Sequence, residues 1–304
     1  MNRTGSSREL GLTLRTLRPT FLLIGAQRSG TTWLATLLAR HPEVSMPSRK
    51  ELHHFDLVAN RDRGWEHYAT HFADCVGRAV GEATPNYLGV HGPAAFRDRL
   101  AAAGVDVADH PEVVRDPSED IGDLLPDLRL LVLLRDPVAR AISSWRHQIR
   151  MGELSPRAPF RAVCGRHGIV TMGAYHAHLD RWRERFPADR FLVGIFEEDV
   201  ATEPDAFLRR VYGHIGVDPD FEPSGTADRP NERASDLELH LRAIRPGLHD
   251  RLRRVAPFIR RIDWPSIAPT QDDLAMLADL YRPDVAELEG LLDRPLDIWT
   301  RRWE

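Results

Sequence analysis

The sequence predicts an α/β protein, a P-loop-like three-layer sandwich in which helices flank a central parallel sheet. The apolar runs 21–24 and 130–134 each end in a short polar turn, and apolar residues at helical spacing follow each turn. Further candidate strands and helices alternate along the chain. This alternation is typical of parallel strands that are covered on both faces.

Composition indicates an ordinary soluble globular chain. The 304 residues are 42% hydrophobic and 28% charged with a formal net charge of −4, which gives no general case for nucleic-acid or membrane binding. Cys75 and Cys164 stand outside any metal-ligand spacing, and no apolar run approaches the length of a membrane span. We therefore expect a cytoplasmic protein with an N-terminal arm at 1–19 and a single domain over 20–304.

Local patterns predict the remaining elements. Apolar runs bounded by turn residues predict further strands at 44–46, 78–85 and 190–196. Apolar residues at helical spacing predict helices at 65–72, 137–150, 175–186 and 204–214. The stretch 94–127 is predicted to be a helix with a long surface excursion around 106–120. The tail, 237–304, is predicted to be helical with breaks at Pro246, Pro265 and Pro283.

The first turn has the spacing of a phosphate-binding loop with one departure. Gly25, Gly30 and Thr32 fit the pattern G-x-x-x-x-G-K-[ST], but Thr31 stands where that pattern has its lysine. A strand–loop–helix turn favours anions, because the helix N-terminus has unpaired N–H groups and a partial positive charge. The missing lysine disfavours a nucleoside triphosphate, and the second apolar run ends in Arg135 where magnesium would need a carboxylate. We therefore expect a nucleotide that lacks a magnesium-bound triphosphate tail.

Two segments, Q-R-S-G-T-T-W at 27–33 and R-D-P-V-A-R-A-I-S-S at 135–144, together resemble those of the sulfotransferases that use 3′-phosphoadenosine 5′-phosphosulfate (PAPS). The first segment resembles the loop that binds the 5′-phosphosulfate, and the second resembles the motif that binds the 3′-phosphate. The resemblance implies a 5′-phosphate site formed by Arg28, Ser29, Gly30, Thr31 and Thr32. It also implies that Trp33 stacks on adenine and that Arg135, Ser143 and Arg229 hold the 3′-phosphate.

A third segment resembles the catalytic region of one branch of these enzymes. Residues 50–56, K-E-L-H-H-F-D, are similar to the K-E-x-H-F-F-D segment of the branch that acts on glycans and many bacterial acceptors. In that branch the glutamate is the catalytic base, and Glu51 takes its position. The cytosolic arylsulfotransferase branch uses a histidine base, which makes His53 the alternative. Residues 81–87 also resemble this branch, but Ala83 stands where many members have an acceptor-binding lysine.

The resemblance implies an enzyme that moves a sulfuryl group from PAPS to a hydroxyl of a small-molecule or carbohydrate acceptor and releases adenosine 3′,5′-bisphosphate. Glu51 would remove the acceptor proton, while Arg28 and the loop N–H groups would stabilise charge on the leaving oxygen. No metal is expected, because arginines replace magnesium as the charge-neutralising groups. Two alternatives stay open. A P-loop small-molecule or nucleoside kinase predicts magnesium-dependent ATP binding, and a nucleotide-binding regulatory protein predicts binding without turnover.

Overall fold

A computed structural model of the chain describes residues 17–89, 91–108, 112–114, 116–223, 239 and 266–304. The chain divides into two compact units. The first is drawn from Met1–His91, His110–Arg135 and Ala177–Pro230, and the second from Gly92–Asp109, Asp136–His176 and Asn231–Glu304. The single domain over 20–304 stays a prediction, and most of the N-terminal arm lies outside the described residues.

The first unit is built on a five-stranded parallel sheet, which confirms the predicted fold class. Its strands are β1 (Phe21–Gly25), β2 (Val44–Ser45), β3 (Ala79–Ala83), β4 (Arg129–Leu134) and β5 (Phe191–Ile195). They pair in the order β2-β3-β1-β4-β5, and every pair is parallel. From β1 the sheet grows to one side with β3 and to the other with β4. In open parallel sheets, ligands bind at such a switch point, outside the carboxyl ends of the strands.

Helices alternate with the strands along the chain. The α-helices are α1 (Thr31–Leu38), α2 (Val58–Arg61), α3 (Gly64–Thr70), α4 (Ala94–Ala102), α5 (Pro117–Leu124), α6 (Pro137–Met151), α7 (Phe160–Val163), α8 (Tyr175–Arg183), α9 (Pro204–Ile215), α10 (Gln271–Leu292) and α11 (Asp297–Thr300). Shorter helical turns cover Pro85–Leu88, Thr171–Gly173, Ala188–Arg190 and Phe196–Val200. The predicted start of α6 is confirmed, because the Asp136 side chain accepts from the Val138 N–H at 2.9 Å. No helix in the described ranges is both long and apolar enough to cross a membrane.

The core of the first unit joins the sheet to α1 and α9. Both helices present apolar side chains three or four residues apart, and these side chains pack against apolar residues of β1 and β4. The contributing side chains include Phe21 and Leu23, Leu131 and Leu133, Leu34 and Leu38, and Phe207 and Val211. Full burial of such a side chain is worth about 1.5–3 kcal/mol. This packing fixes the strand ends that carry the site.

The predicted surface excursion around 106–120 is wrong in part. The Asp116 side chain accepts from the Ser118 N–H at 3.0 Å and caps α5, and Ser118 and Ile121 are fully buried. Val114 is also buried. The apolar residues of this stretch are few and separated by acidic ones. The sequence therefore shows no clear periodicity from which their burial could be predicted.

The predicted helix break at Pro283 is also wrong, because α10 of the second unit continues through this residue. Proline inside a helix costs about 3 kcal/mol, since it removes a hydrogen bond and clashes with the preceding turn. Buried neighbours oppose this cost: Tyr281 and Val285 are almost fully buried, and the Tyr281 hydroxyl donates to the Val170 carbonyl at 2.8 Å. The predicted breaks at Pro246 and Pro265 lie outside the described residues.

Candidate active site

The phosphate loop, residues 26–32, connects β1 to α1 and is shaped by its backbone. The Ala26 N–H donates to the Leu133 carbonyl on β4 at 2.7 Å, and the Ser29 N–H donates to the Ala26 carbonyl at 3.2 Å. Gly30 precedes α1 with a φ of +96°, and a Cβ atom there would lie 3.0 Å from Cδ2 of Phe196. Glycine is therefore the residue that fits this position without strain.

Two features of the loop suit an anion. The N-cap of α1 is Gly30, which has no side chain to cap the first turn, so the N–H groups of that turn are suited to donate to a bound oxygen. Ser29 is buried, and its Oγ has no hydrogen-bond partner among the described residues. A buried polar group without a partner costs about 1–3 kcal/mol, and a phosphate oxygen would remove that cost. These residues therefore fit the 5′-phosphate of a nucleotide.

Arg135 links the tip of β4 to the phosphate loop. Its Nη1 donates to the Arg28 carbonyl at 3.4 Å, and its guanidinium carbon lies 5.2 Å from the centroid of the Phe196 ring. The same ring faces Gly30. Parallel strands end at one edge of the sheet, so the two predicted phosphate-binding arginines belong to neighbouring loops.

The 50–56 segment brings a carboxylate beside the phosphate loop. Nζ of Lys50 donates to Oγ1 of Thr32 at 2.7 Å and lies 3.0 Å from Oε1 of Glu51. Oε2 of Glu51 lies 3.6 Å from Nε2 of His53. Nδ1 of His53 lies 2.7 Å from Oδ2 of Asp56. A continuous series of polar contacts therefore runs from the first turn of α1 to the buried Asp56.

The charges in this series are set by mutual pairing. Burial by itself lowers the pKa of His53, but hydrogen bonds to Asp56 and Glu51 and the charges of both carboxylates raise that pKa to about 10. The hydrogen bond from His53 lowers the pKa of Glu51 to about 2, with a further contribution from Lys50 and against the effect of burial. At neutral pH, Glu51 is a carboxylate and His53 is an imidazolium. An imidazolium has no lone pair that could accept a proton, which argues against His53 as the base.

The neighbouring His54 is uncharged at neutral pH, in contrast to His53. Burial lowers the pKa of His54 to about 4, and the nearby His67 and His71 add to this effect. The His54 ring stacks on Tyr68 with 4.7 Å between the ring centroids. Two adjacent histidines therefore differ in role, because one pairs with carboxylates and the other packs among aromatic rings.

A buried carboxylate, Glu82 at the end of β3, supports the 50–56 segment through Tyr87. Three hydroxyl groups donate to it: Tyr68 at 2.8 Å, Tyr87 at 2.9 Å and Thr84 at 2.7 Å. The Tyr87 oxygen also accepts from the His54 N–H at 3.0 Å. Burial raises the pKa of Glu82, while the three hydroxyl donors oppose that rise. The network matters because Glu51 and His53 have φ values of +59° and +53°, which non-glycine residues adopt only when their surroundings hold them.

The structure assigns no role at this cluster to three other residues of the predicted site. Trp33 is 5% exposed and packs in the core of the first unit, on the buried face of α1. The stacking of its ring on adenine stays a prediction. Ser143 is half-buried on α6 in the second unit. Arg229 lies outside the described residues.

Several residues of the cluster have no signature in the sequence. Phe196 follows β5 and Tyr68 lies on α3. Their distance along the sequence from the phosphate loop does not indicate that they lie near it. Lys50 does have a signal, because it is the only lysine of the chain and all other basic side chains of the Lys/Arg type are arginines.

The family model that matches the chain is described as the sulfotransferase family and covers residues 19–223. Over 210 residues the chain is 29% identical to heparan sulfate glucosamine 3-O-sulfotransferase 6 of Homo sapiens, a match that covers 66% of this chain and 52% of that protein. Over 307 residues it is 24% identical to the bifunctional heparan sulfate N-deacetylase/N-sulfotransferase 3 of Mus musculus, which covers 93% of this chain and 31% of that protein. The chain thus spans about half or less of the length of these curated relatives.

A solved structure shares the fold. The crystal structure of a sulfotransferase from Alicyclobacillus acidocaldarius superposes with a TM-score of 0.60 at 24% identity, over 93% of this chain and 98% of that one. The family model covers more than half of the chain and includes the phosphate loop, the 50–56 segment and Arg135. The chain therefore belongs to the sulfotransferase family.

Proposed function

We propose that the chain transfers a sulfuryl group from PAPS to a hydroxyl of a carbohydrate or small-molecule acceptor. One observation carries this proposal: a single ammonium group, Nζ of Lys50, bridges Thr32 at the phosphate loop and the Glu51 carboxylate, at 2.7 and 3.0 Å. Sulfuryl transfer to a hydroxyl needs an anion site for the donor and a proton acceptor close to it. In this proposal the phosphate loop is the anion site and Glu51 is the proton acceptor.

The donor site is assigned from the loop outward. When bound, PAPS supplies the sulfuryl group: the bond from sulfur to the 5′-phosphate oxygen breaks, a bond from sulfur to the acceptor oxygen forms, and the phosphate keeps the electron pair. The N–H groups of the first turn of α1, the Ser29 hydroxyl and Arg28 hold the 5′-phosphate and stabilise its added charge. Arg135 holds the 3′-phosphate by charge-assisted hydrogen bonds. Ser143 and Arg229 are assigned to the 3′-phosphate by resemblance alone.

Glu51 is the proposed base. It is ionised at neutral pH, half-exposed, and oriented by His53, which Asp56 holds in turn. The acceptor hydroxyl gives its proton to a Glu51 oxygen as its own oxygen attacks sulfur, which requires the two oxygens to come within hydrogen-bond reach. His53 and Asp56 are positioning residues in this scheme, since they act through Glu51.

A carbohydrate acceptor is supported by the names of the relatives, which describe enzymes of heparan sulfate.

We propose that arginines and Lys50 neutralise the donor charge without a metal ion. None of the contacts in the described part of the site favours a kinase, because the carboxylate at the end of β3, Glu82, is already occupied by three hydroxyl groups. The cytoplasmic location stays a prediction.

The proposal is tested by a transfer assay with PAPS and EDTA. The purified chain is incubated with desulfated heparan sulfate, a simple phenol or a sugar alcohol, and mass spectrometry follows both the sulfated product and adenosine 3′,5′-bisphosphate. We expect bisphosphate release that depends on one class of acceptor and yields a sulfated product in equal amount. Phosphorylation of an acceptor with ATP and magnesium, without any sulfated product from PAPS, would contradict the proposal.

A further inference from the structure

The phosphate loop lacks the lysine of the triphosphate-binding pattern, but a lysine reaches the loop from another segment. Thr31 occupies the lysine position of the pattern. The next residue, Thr32, accepts a hydrogen bond from Nζ of Lys50, which is 18 positions further along the chain. Lys50 is also the only lysine in a chain with 41 Lys and Arg residues. An ammonium group is therefore present at the loop although the motif does not encode it.

The ammonium group of Lys50 is placed between two functional groups. It donates to Thr32 in the first turn of α1, where an anion is expected, and it pairs with Oε1 of Glu51. An ammonium group has three N–H donors, and among the described residues these two contacts are its polar contacts. The side chain is 36% exposed, so a ligand can reach it.

We propose that Lys50 is the lysine of the phosphate site: its ammonium group binds the phosphosulfate end of the donor and leaves Glu51 when it does so. This inference rests on the proposed function. A compact ammonium on a flexible stem suits this movement better than a planar guanidinium, which favours a fixed two-point contact. The Thr32 hydroxyl provides the pivot, because it holds the ammonium beside the loop while the partner changes from a carboxylate to a phosphate oxygen.

The movement has a consequence for the base. Lys50 is one of the groups that lower the pKa of Glu51, together with His53. When the ammonium turns to the donor, Glu51 loses one of its two cationic partners. Its Oε1 atom, which contacted Lys50, then becomes available to the acceptor, while Oε2 stays beside His53. Donor binding thus prepares the carboxylate for proton transfer. We therefore expect the donor to bind before the acceptor.

The single lysine permits a direct test in the whole chain. Protein with ¹³C,¹⁵N-labelled lysine gives one side-chain signal, which is followed by NMR during titration with adenosine 3′,5′-bisphosphate. In parallel, calorimetry measures bisphosphate affinity for the wild type, Lys50→Met and Arg49→Met. Arg49→Met is the matched control, because it removes the same charge from the adjacent exposed residue.

We expect the Lys50 signal to shift on titration and to saturate with the calorimetric Kd. Lys50→Met should weaken bisphosphate binding by about ten- to a hundredfold, as for lost hydrogen bonds to charged groups, while Arg49→Met should change it by less than about threefold. A wild-type chain that binds the bisphosphate with an unmoved lysine signal, and with equal affinity in Lys50→Met, would overturn this inference and leave the proposed function intact. Failure of the wild type to bind the bisphosphate would instead overturn the proposed function, and the inference with it.

Discussion

The phosphate loop and the 50–56 segment lie side by side, but they are held in different ways. The loop takes its shape from backbone hydrogen bonds to β4 and within itself, and from Gly30 with its φ of +96°. The 50–56 segment has non-glycine residues, Glu51 and His53, in the left-handed region, and side chains hold them there. Those side chains are Asp56, which pairs with His53, and the buried Glu82 network.

Because of this difference, we expect donor binding and proton transfer to respond to different substitutions. Donor binding should depend on the backbone geometry of the loop and on Lys50, and the loss of a single loop hydroxyl should weaken it less. Proton transfer should depend on Glu51, His53 and Asp56 and on the buried Glu82 network that holds their segment. Variants that affect one property and spare the other test this division.

Replacement of the proposed base should have the largest effect. Glu51→Gln keeps the shape of the side chain but removes the proton acceptor, so sulfuryl transfer should fall by about 10²- to 10⁴-fold. Bisphosphate affinity, measured by calorimetry, should stay within about threefold of the wild type. Glu66→Gln, an exposed carboxylate on α3, is the control and should change neither property. Unchanged transfer in Glu51→Gln would remove Glu51 from the role of base.

A methyl group at the loop glycine should disrupt donor binding. In Gly30→Ala the new Cβ would lie 3.0 Å from the Phe196 ring, and overpacking of this kind costs about 1–3 kcal/mol. We expect the loop to change shape and bisphosphate affinity to fall by about tenfold or more. Gly216→Ala is the matched control, because Gly216 also has a positive φ, +80°, but no atom within 4 Å of the added Cβ. Equal affinity in both variants would show that the loop does not require glycine.

Loss of the buried carboxylate should loosen the 50–56 segment. In Glu82→Gln, an amide nitrogen replaces one of two accepting oxygens, so at least one hydroxyl loses its acceptor. The free energy of unfolding in urea should fall by about 1–3 kcal/mol, and transfer should decrease more than bisphosphate affinity. Tyr68→Phe removes one donor and leaves the carboxylate, so its effect on stability should be smaller. A Glu82→Gln variant as stable as the wild type would contradict the network.

The smallest effect is expected at the loop hydroxyl. Ser29→Ala removes a buried oxygen that has no partner among the described residues, so the free energy of unfolding should stay constant or increase. Bisphosphate affinity should fall by about two- to tenfold, because one hydrogen bond to the phosphate is lost. Thr36→Ala, which removes an exposed hydroxyl from α1, the helix that follows the loop, should leave affinity unchanged. Affinity unchanged in Ser29→Ala as well would place the phosphate away from this hydroxyl.

The sequence predicts the loop better than it predicts the segment, and the reason is physical. Gly25, Gly30 and the apolar run before them are local requirements of a strand–loop–helix turn, so their spacing can be read directly. The parallel sheet and the cap at Asp136 follow from similarly local patterns. The contacts around Glu51 are not local: Tyr68 and Phe196 reach the site only because distant strands and helices pack together.

Side-chain burial and packing account for the errors. For Trp33, whose stacking on adenine stays a prediction, helical spacing alone does not say whether the ring faces the core or a ligand. Pro283 lies within α10 because buried neighbours hold the helix on both sides. Lys50 is part of the K-E-x-H segment, but its contact with Thr32 could not be predicted from that motif, because the contact depends on where the 50–56 segment crosses the loop.

The most direct test of the central claim, that this is a PAPS-binding sulfotransferase, is calorimetric titration of the chain with adenosine 3′,5′-bisphosphate, ADP and ATP, each without magnesium. The proposed function assigns the 3′-phosphate to Arg135, which contacts the loop at the Arg28 carbonyl, so the bisphosphate should bind about tenfold or more tightly than ADP and ATP. Equal affinity for ADP and the bisphosphate, or tight binding of ATP only when magnesium is added, would contradict the claim.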